Sequence, residues 1–179
     1  MKHALRPSPL GDILLTFDDD ALLGLYFVGQ KAQPVIGPHW RVDDAHPVAR
    51  RTADRIERYF LGVEEPFDVP IVFAGTRFQV AVWRSLLEIP RGETVSYAEL
   101  ARRVGAPAAV RAVGAAVGRN PVSIFVPCHR VVGSNGSLTG YAGGLPRKTH
   151  LLRLERALGE DGRARRAGPQ AGLPFGPLA

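Results

Sequence analysis

Two apolar runs of strand length, Gly11-Asp-Ile-Leu-Leu-Thr-Phe17 and Ala21-Leu-Leu-Gly-Leu-Tyr-Phe-Val28, flank Asp18-Asp-Asp20, which is too charged to bury and suited to a turn. The pattern predicts a β-hairpin, with the aspartates read as a solvated turn rather than an acid/base group. After a link broken by proline and glycine near Pro34 to Pro38, the stretch Pro47 to Leu61 spaces Val48, Ile56, Tyr59 and Phe60 among Arg, Asp and Glu. That periodicity predicts an amphipathic helix ending at Gly62. Phe67-Asp-Val-Pro-Ile-Val-Phe73 resembles a further short strand.

From Thr76 the pattern changes to helices separated by short turns. Thr76 is a good N-cap, and Phe78, Ala81, Val82 and Leu86 fall on one face of the helix that Ile89-Pro-Arg-Gly92 ends. Ser96-Tyr-Ala-Glu-Leu-Ala-Arg-Arg-Val-Gly105 opens with the Ser-x-x-Glu of a capping box and closes on a glycine. A second helix is expected from Ala108 to Gly118, with Pro107 in its first turn and a stop at Asn120-Pro121. Two helices across a glycine-containing turn predict a helix-turn-helix. The fold class is thus α+β, with a small α+β domain over residues 1–74 and a mostly helical domain over 75–158. A tail over 159–179, rich in Gly, Ala, Arg and Pro, is expected to be disordered.

Charge sharpens the division. Residues 1–74 carry 8 Lys and Arg against 11 Asp and Glu, a balance of −3, whereas residues 75–158 carry 12 against 4, a balance of +8. A basic domain joined to an acidic one fits contact with a polyanion, and a solvated basic face is the bland alternative. The expected second helix has Arg111 as its one long side chain among Ala, Val and Gly. Either it packs tightly on its own protein with Arg111 in water, or it lies against DNA with Arg111 as a probe.

No stretch approaches the roughly 20 apolar residues that span a bilayer, and the first residues lack a signal-peptide core, so a cytoplasmic protein without membrane contact is expected. The single cysteine excludes an intramolecular disulfide and multi-cysteine metal sites. The five histidines, at 3, 39, 46, 129 and 150, show no metal-ligand spacing, so neither metal nor cofactor is expected.

That cysteine, Cys128, follows the apolar run Val122 to Val126, read as strand-like, and Pro127. Lone cysteines among Val and Ile are usually inert core, but His129, Arg130 and nearby Arg147 favour a thiolate. Adjacent strand residues face opposite ways, so Cys128 and His129 meet only if the chain turns after Pro127, or through a water. Glu155 falls on the apolar face of a last helix, Arg147 to Leu158, where a carboxylate needs a partner. His129 is one candidate, and a surface pair with Arg153 is the other.

Pro127-Cys-His-Arg-Val131, preceded by Arg111-Ala-Val-Gly and Asn120-Pro and followed by Thr139-Gly-Tyr-Ala-Gly-Gly144, resembles the O6-alkylguanine-DNA alkyltransferases. The resemblance runs in order and spacing from about Gly75 to Leu158. It implies a ribonuclease H-like amino-terminal domain and a winged-helix-like carboxy-terminal one. The implied activity is irreversible, single-turnover transfer of an alkyl group from O6-alkylguanine in duplex DNA to Cys128, with O4-alkylthymine left open as a second lesion. By the same resemblance Glu155 orients His129, which takes the thiol proton through a water, Tyr97 protonates the leaving guanine at N3, and Asn120 holds the local fold. Arg111 fills the gap left by a base flipped from the minor groove. Tyr97, Ala112, Gly114, Arg119 and Arg130 join Arg111 against DNA, and Val131, Tyr141, Ala142, Gly143 and Ser123 line the pocket. A monomer in solution is expected.

The chemistry agrees with this from below: displacement at O6 needs a soft nucleophile and a proton for the leaving base, and a base inside the stack must be flipped to be reached. Ser123 stands where mammalian members carry proline, so handling of bulky alkyl groups is open. With a single cysteine, neither the zinc site of some members nor the cysteine-rich phosphotriester-repair domain of adaptive-response regulators is expected. The rival is a lesion-sensing DNA-binding module without chemistry; such sensors lack the cysteine that this chain has. A glycosylase would need a carboxylate or lysine at the sugar, and a cysteine peptidase a distant histidine and a polypeptide groove.

Overall fold

The computed structural model describes residues 1–165, and the chain divides into two compact units. The first comprises Met1–Ala74 together with Pro121–Phe125, and the second Gly75–Asn120 and the chain from Val126.

In the first unit four strands lie in the order β3-β2-β1-β4: β1 (Lys2–Arg6), β2 (Ile13–Phe17), β3 (Leu22–Phe27) and β4 (Arg41–Val42). The hairpin forms as β2 and β3, with Asp18 Oδ1 accepting from the amides of Asp20 and Ala21 in the turn. Every residue of β2 is buried, as suits the strand between β1 and β3. Strand β1, antiparallel to β2, was not predicted: its apolar centre is short and basic at both ends, so its pattern is weak. Helix α1 (Pro47–Phe60) buries Val48, Ala49, Thr52, Ile56 and Tyr59, and its start is capped by His46 Nδ1 accepting from the Val48 amide.

Two strand expectations fail here. Phe67–Phe73 makes a single bridge, Ile71 to Leu22, because Pro66 and Pro70 carry no N–H for a ladder. Val122–Val126 is a buried loop instead of a strand. Val122 bridges Leu25, the Phe125 amide folds back onto the Ser123 carbonyl at 2.9 Å, and Ile124 sits at φ +71°.

The second unit is helical: α2 (Arg77–Leu86), α3 (Tyr97–Arg103), α4 (Val110–Gly118) and α5 (Leu145–Leu154), with a two-stranded parallel sheet of β5 (Val95–Ser96) and β6 (Val131–Val132). Thr76 and Gln79 form a full capping box on α2. At α3 the Ser96 side chain accepts from the Glu99 amide, while the Glu99 carboxylate turns to Arg102 and Arg103. Helix α4 starts later than expected, at Val110, and Pro107 lies in the turn before it. Residues 159–165, expected in a disordered tail, are hydrogen-bonded into this unit, with Leu158 bridging Ala164. The remainder of the expected disordered tail, 166–179, lies outside the described residues. Among the described residues no helix is long and apolar enough to cross a membrane.

Candidate active site

Cys128 opens a 3-10 turn, Cys128–Arg130, that bends the chain directly after Pro127. The turn continues into β6, whose pairing with β5 brings the Cys-His-Arg segment beside the start of α3, where Tyr97 stands. The thiol is 3% exposed, and Asn120 Nδ2 donates to Sγ at 3.0 Å and to the Val126 carbonyl at 2.8 Å. Asn120 thereby fixes both the sulfur and the segment that leads into it. Burial pushes the Cys128 thiol up, against the opposing pull of Asn120 and of the Lys148 cation. The resting sulfur is therefore a thiol.

Glu155 resolves the two readings of its partner. Its carboxylate is buried, with Oε1 2.9 Å from His129 Nε2, while Arg130 Nε donates to Oε2 at 2.8 Å and Nη2 to Oε1 at 2.9 Å. Burial alone would raise this carboxyl, but His129 and the forked guanidinium of Arg130 hold it well below the usual carboxylate range. Burial lowers His129 in turn, against the pull of Glu155, so its ring is neutral at neutral pH. With Glu155 ionised, Nε2 carries the ring proton and Nδ1 keeps its lone pair; Nδ1 is buried, with no hydrogen-bond partner among the described residues. A neutral base oriented by a carboxylate thus sits next in sequence to the thiol.

Arg130 corrects an expectation. Read as a DNA contact, it is instead 9% exposed and committed to Glu155 and, at 2.5 Å, to the Ile89 carbonyl. Its role is to balance a buried carboxylate.

Lys148 was missed altogether. It is fully buried on α5, and its Nζ donates to the carbonyls of Val131 at 2.5 Å, Thr139 at 2.7 Å and Gly140 at 3.1 Å. Burial pushes its ammonium down to about 8, which leaves it mainly cationic at neutral pH. In sequence it reads as one more surface cation after Arg147. The only available signal was its place, three residues before the buried Leu151.

Tyr97 is half-buried, its hydroxyl 3.4 Å from the carbonyls of Thr139 and Gly140, and burial raises its phenol. Gly140 has φ +50°, and a Cβ there would stand 3.3 Å from the Tyr97 hydroxyl, so the close approach and the backbone both favour glycine. Tyr141 and Ala142 follow half-buried, and Gly143 and Val131 are buried. Ser123 falls in the first unit, where its hydroxyl donates to Gln30 Oε1 at 3.1 Å.

On α4, Val113, Ala116 and Val117 are buried, and Trp83 Nε1 donates to the Ala116 carbonyl at 2.9 Å. Arg111, Ala112, Ala115, Gly118 and Arg119 are exposed together at helical spacing, and Gly114 lies beside the Tyr97 ring. The helix therefore packs on α2 with one side and presents a low face of small residues, with Arg111 rising from it, on the other. Among the described residues no group of three or more His, Cys, Asp or Glu is arranged to hold a metal ion.

A buried cysteine beside a histidine–carboxylate pair thus shares one unit with two packed helices, α3 and α4, joined by a short turn. The sequence matches the family described as 6-O-methylguanine DNA methyltransferase, with its ribonuclease-like domain over residues 1–73 and its DNA binding domain over residues 77–157. The chain belongs to this family. It is 45% identical over 155 residues to the methylated-DNA–protein-cysteine methyltransferase of Methanosarcina acetivorans, covering 87% of this chain and 98% of that one. The inducible methylated-DNA–protein-cysteine methyltransferase of Bacillus subtilis is 46% identical over 158 residues, 80% of this chain and 88% of the relative. Among solved structures, Mycobacterium tuberculosis OGT in complex with DNA matches with a TM-score of 0.80 at 43% identity, covering 87% of this chain and 93% of that one.

Proposed function

We propose that this protein repairs duplex DNA by moving the alkyl group of O6-alkylguanine onto the sulfur of Cys128, once per molecule. The observation that carries this is the buried line from the Cys128 thiol, with His129 next to it, to Glu155, closed by Arg130. A sulfur lone pair attacks the alkyl carbon and a thioether C–S bond forms. The C–O6 bond breaks with its electrons passing to the guanine, which takes a proton at N3 from Tyr97. The thiol proton passes through a water to His129 Nδ1, and the imidazolium is held by Glu155. The cation of Lys148 favours the charge that develops on sulfur. Because a thioether is not reversed by any group at the site, the protein is spent after one transfer and guanine is restored.

The lesion must leave the stack to reach a buried sulfur. We assign the exposed face of α4 to the DNA, with Arg111 filling the vacated space from the minor groove, Ala112 and Gly114 allowing close approach, and Arg119 contacting the backbone. Val131, Tyr141, Ala142 and Gly143 form the pocket for the flipped base. Every reacting group comes from one chain, so a monomer suffices, and the scheme uses no cofactor.

Intact-mass and peptide spectrometry after incubation with a duplex carrying one O6-methylguanine tests this. One methyl on the peptide containing Cys128, saturating at one per protein and absent in Cys128→Ser, is the expected result. Tight lesion binding with unchanged mass would instead make the protein a sensor.

A further inference from the structure

Beyond residue 157, where the family match ends, the chain forms a small hairpin. The Gly159 amide donates to the Arg163 carbonyl at 2.8 Å, the Arg165 amide returns to the Ala157 carbonyl at 2.7 Å, and Leu158 bridges Ala164. Asp161 Oδ1 closes the tip by accepting from the Arg163 amide at 3.0 Å. Ala164 is 9% exposed and Ala157 fully buried, so the hairpin is packed down.

Its outer contacts fall on two places. The Arg165 carbonyl accepts both the amide of Thr94, at 3.1 Å, and its hydroxyl, at 2.7 Å; Thr94 is fully buried. The Ala164 amide donates to the Gly136 carbonyl at 3.2 Å, and Gly136, at φ +79°, lies close under Ala164. Thr94 stands three residues before Tyr97, and Gly136 three residues before Thr139, to whose carbonyl the Tyr97 hydroxyl points. One hairpin therefore ties together the two chain segments that converge at the Tyr97 hydroxyl.

We propose that Leu158–Arg165 is a clasp that positions Tyr97 for proton delivery by holding Thr94 and Gly136 in fixed register. This rests on the alkyl transfer proposed above. Two-residue strands have little cooperative strength of their own, so the geometry of Tyr97 depends on an outside restraint. Thr94 is a positioning residue, touching no reacting atom.

The test is a double-mutant cycle on the rate of methyl uptake by Cys128 from a duplex containing O6-methylguanine. A chain ending at Gly159 is expected to lose about tenfold, and full-length Thr94→Val, which keeps the bulk and drops the hydroxyl donor, about threefold. In a Tyr97→Phe background both losses are expected to shrink below about twofold, because there is no longer a phenol to misplace. Equal losses in both backgrounds, or none in either, overturn the clasp. If the shortened chain fails to fold, the Thr94→Val cycle decides alone. Uptake by the wild-type chain in the same assay tests the transfer itself, so an active wild type with an additive cycle condemns only the clasp.

Discussion

The two units are stabilised by different kinds of interior. The first is a sheet whose central strand buries Ile13, Leu14, Leu15 and Phe17, with its charges outside in pairs such as Arg51 and Arg55 with Asp68. The second buries His129, Arg130, Lys148 and Glu155 together around one cysteine. Apolar packing is non-directional and degrades by degrees, whereas a buried charged network depends on every partner being present. Stability and chemistry are therefore separable in the first unit and coupled in the second.

Glu155→Gln should break the second unit most severely. Methyl transfer should fall about a hundredfold or more, since His129 loses its orienting charge. Arg130 would be left buried beside a neutral amide, at a cost of about 3–5 kcal/mol in unfolding experiments. The pH profile gives the sign independently. The Glu155 carboxyl titrates lower when folded than when unfolded, so its contribution is fully present above the unfolded value of about 4.3 and is lost as pH falls below it. Acid melting curves of wild type should show this loss, and Glu155→Gln should flatten it.

Leu15→Ala in the first unit should cost about 2–5 kcal/mol as a cavity, yet leave the transfer rate per folded molecule unchanged. A slowed rate at full occupancy of the folded state would overturn the separation drawn here. Lys148→Met should slow transfer about tenfold, since the thiol loses the cation that opposes the effect of its burial. Burial lowers Lys148 to about 8, so the unfolded chain holds more protons between that value and 10.5, and stability gains as pH rises through this window. Lys148→Met should remove that alkaline gain. The smallest effect is at the surface: Asp68→Asn should leave both melting temperature and transfer within experimental scatter, because its guanidinium partners are solvated.

The contrast also explains what the sequence revealed. Helix α1 was legible because its periodicity is one-sided, and the hairpin because two continuous apolar runs flank a charged turn. A carboxylate on an apolar helix face marked Glu155 as needing a partner but left His129 and Arg153 both open, and the family resemblance pointed to His129. Arg130 and Lys148 were not legible, since a cation in a basic segment looks the same whether it faces DNA or closes a buried network. Only tertiary contact distinguishes them. The clasp escaped because glycine and arginine give neither strand nor helix periodicity, and its hydrogen bonds are made by backbone, one threonine and the Asp161 carboxylate.

The excursion of residues 121–125 into the first unit has a consequence for biosynthesis. The β3 edge at Leu25 accepts from the Ser123 amide and donates to the Pro121 carbonyl, both at 2.8 Å. A nascent chain can form the β-hairpin early, but that edge stays unpaired until a segment from well past the midpoint has left the ribosome. The two units are therefore not beads on a string: the amino-terminal one is finished by residues translated only after α4.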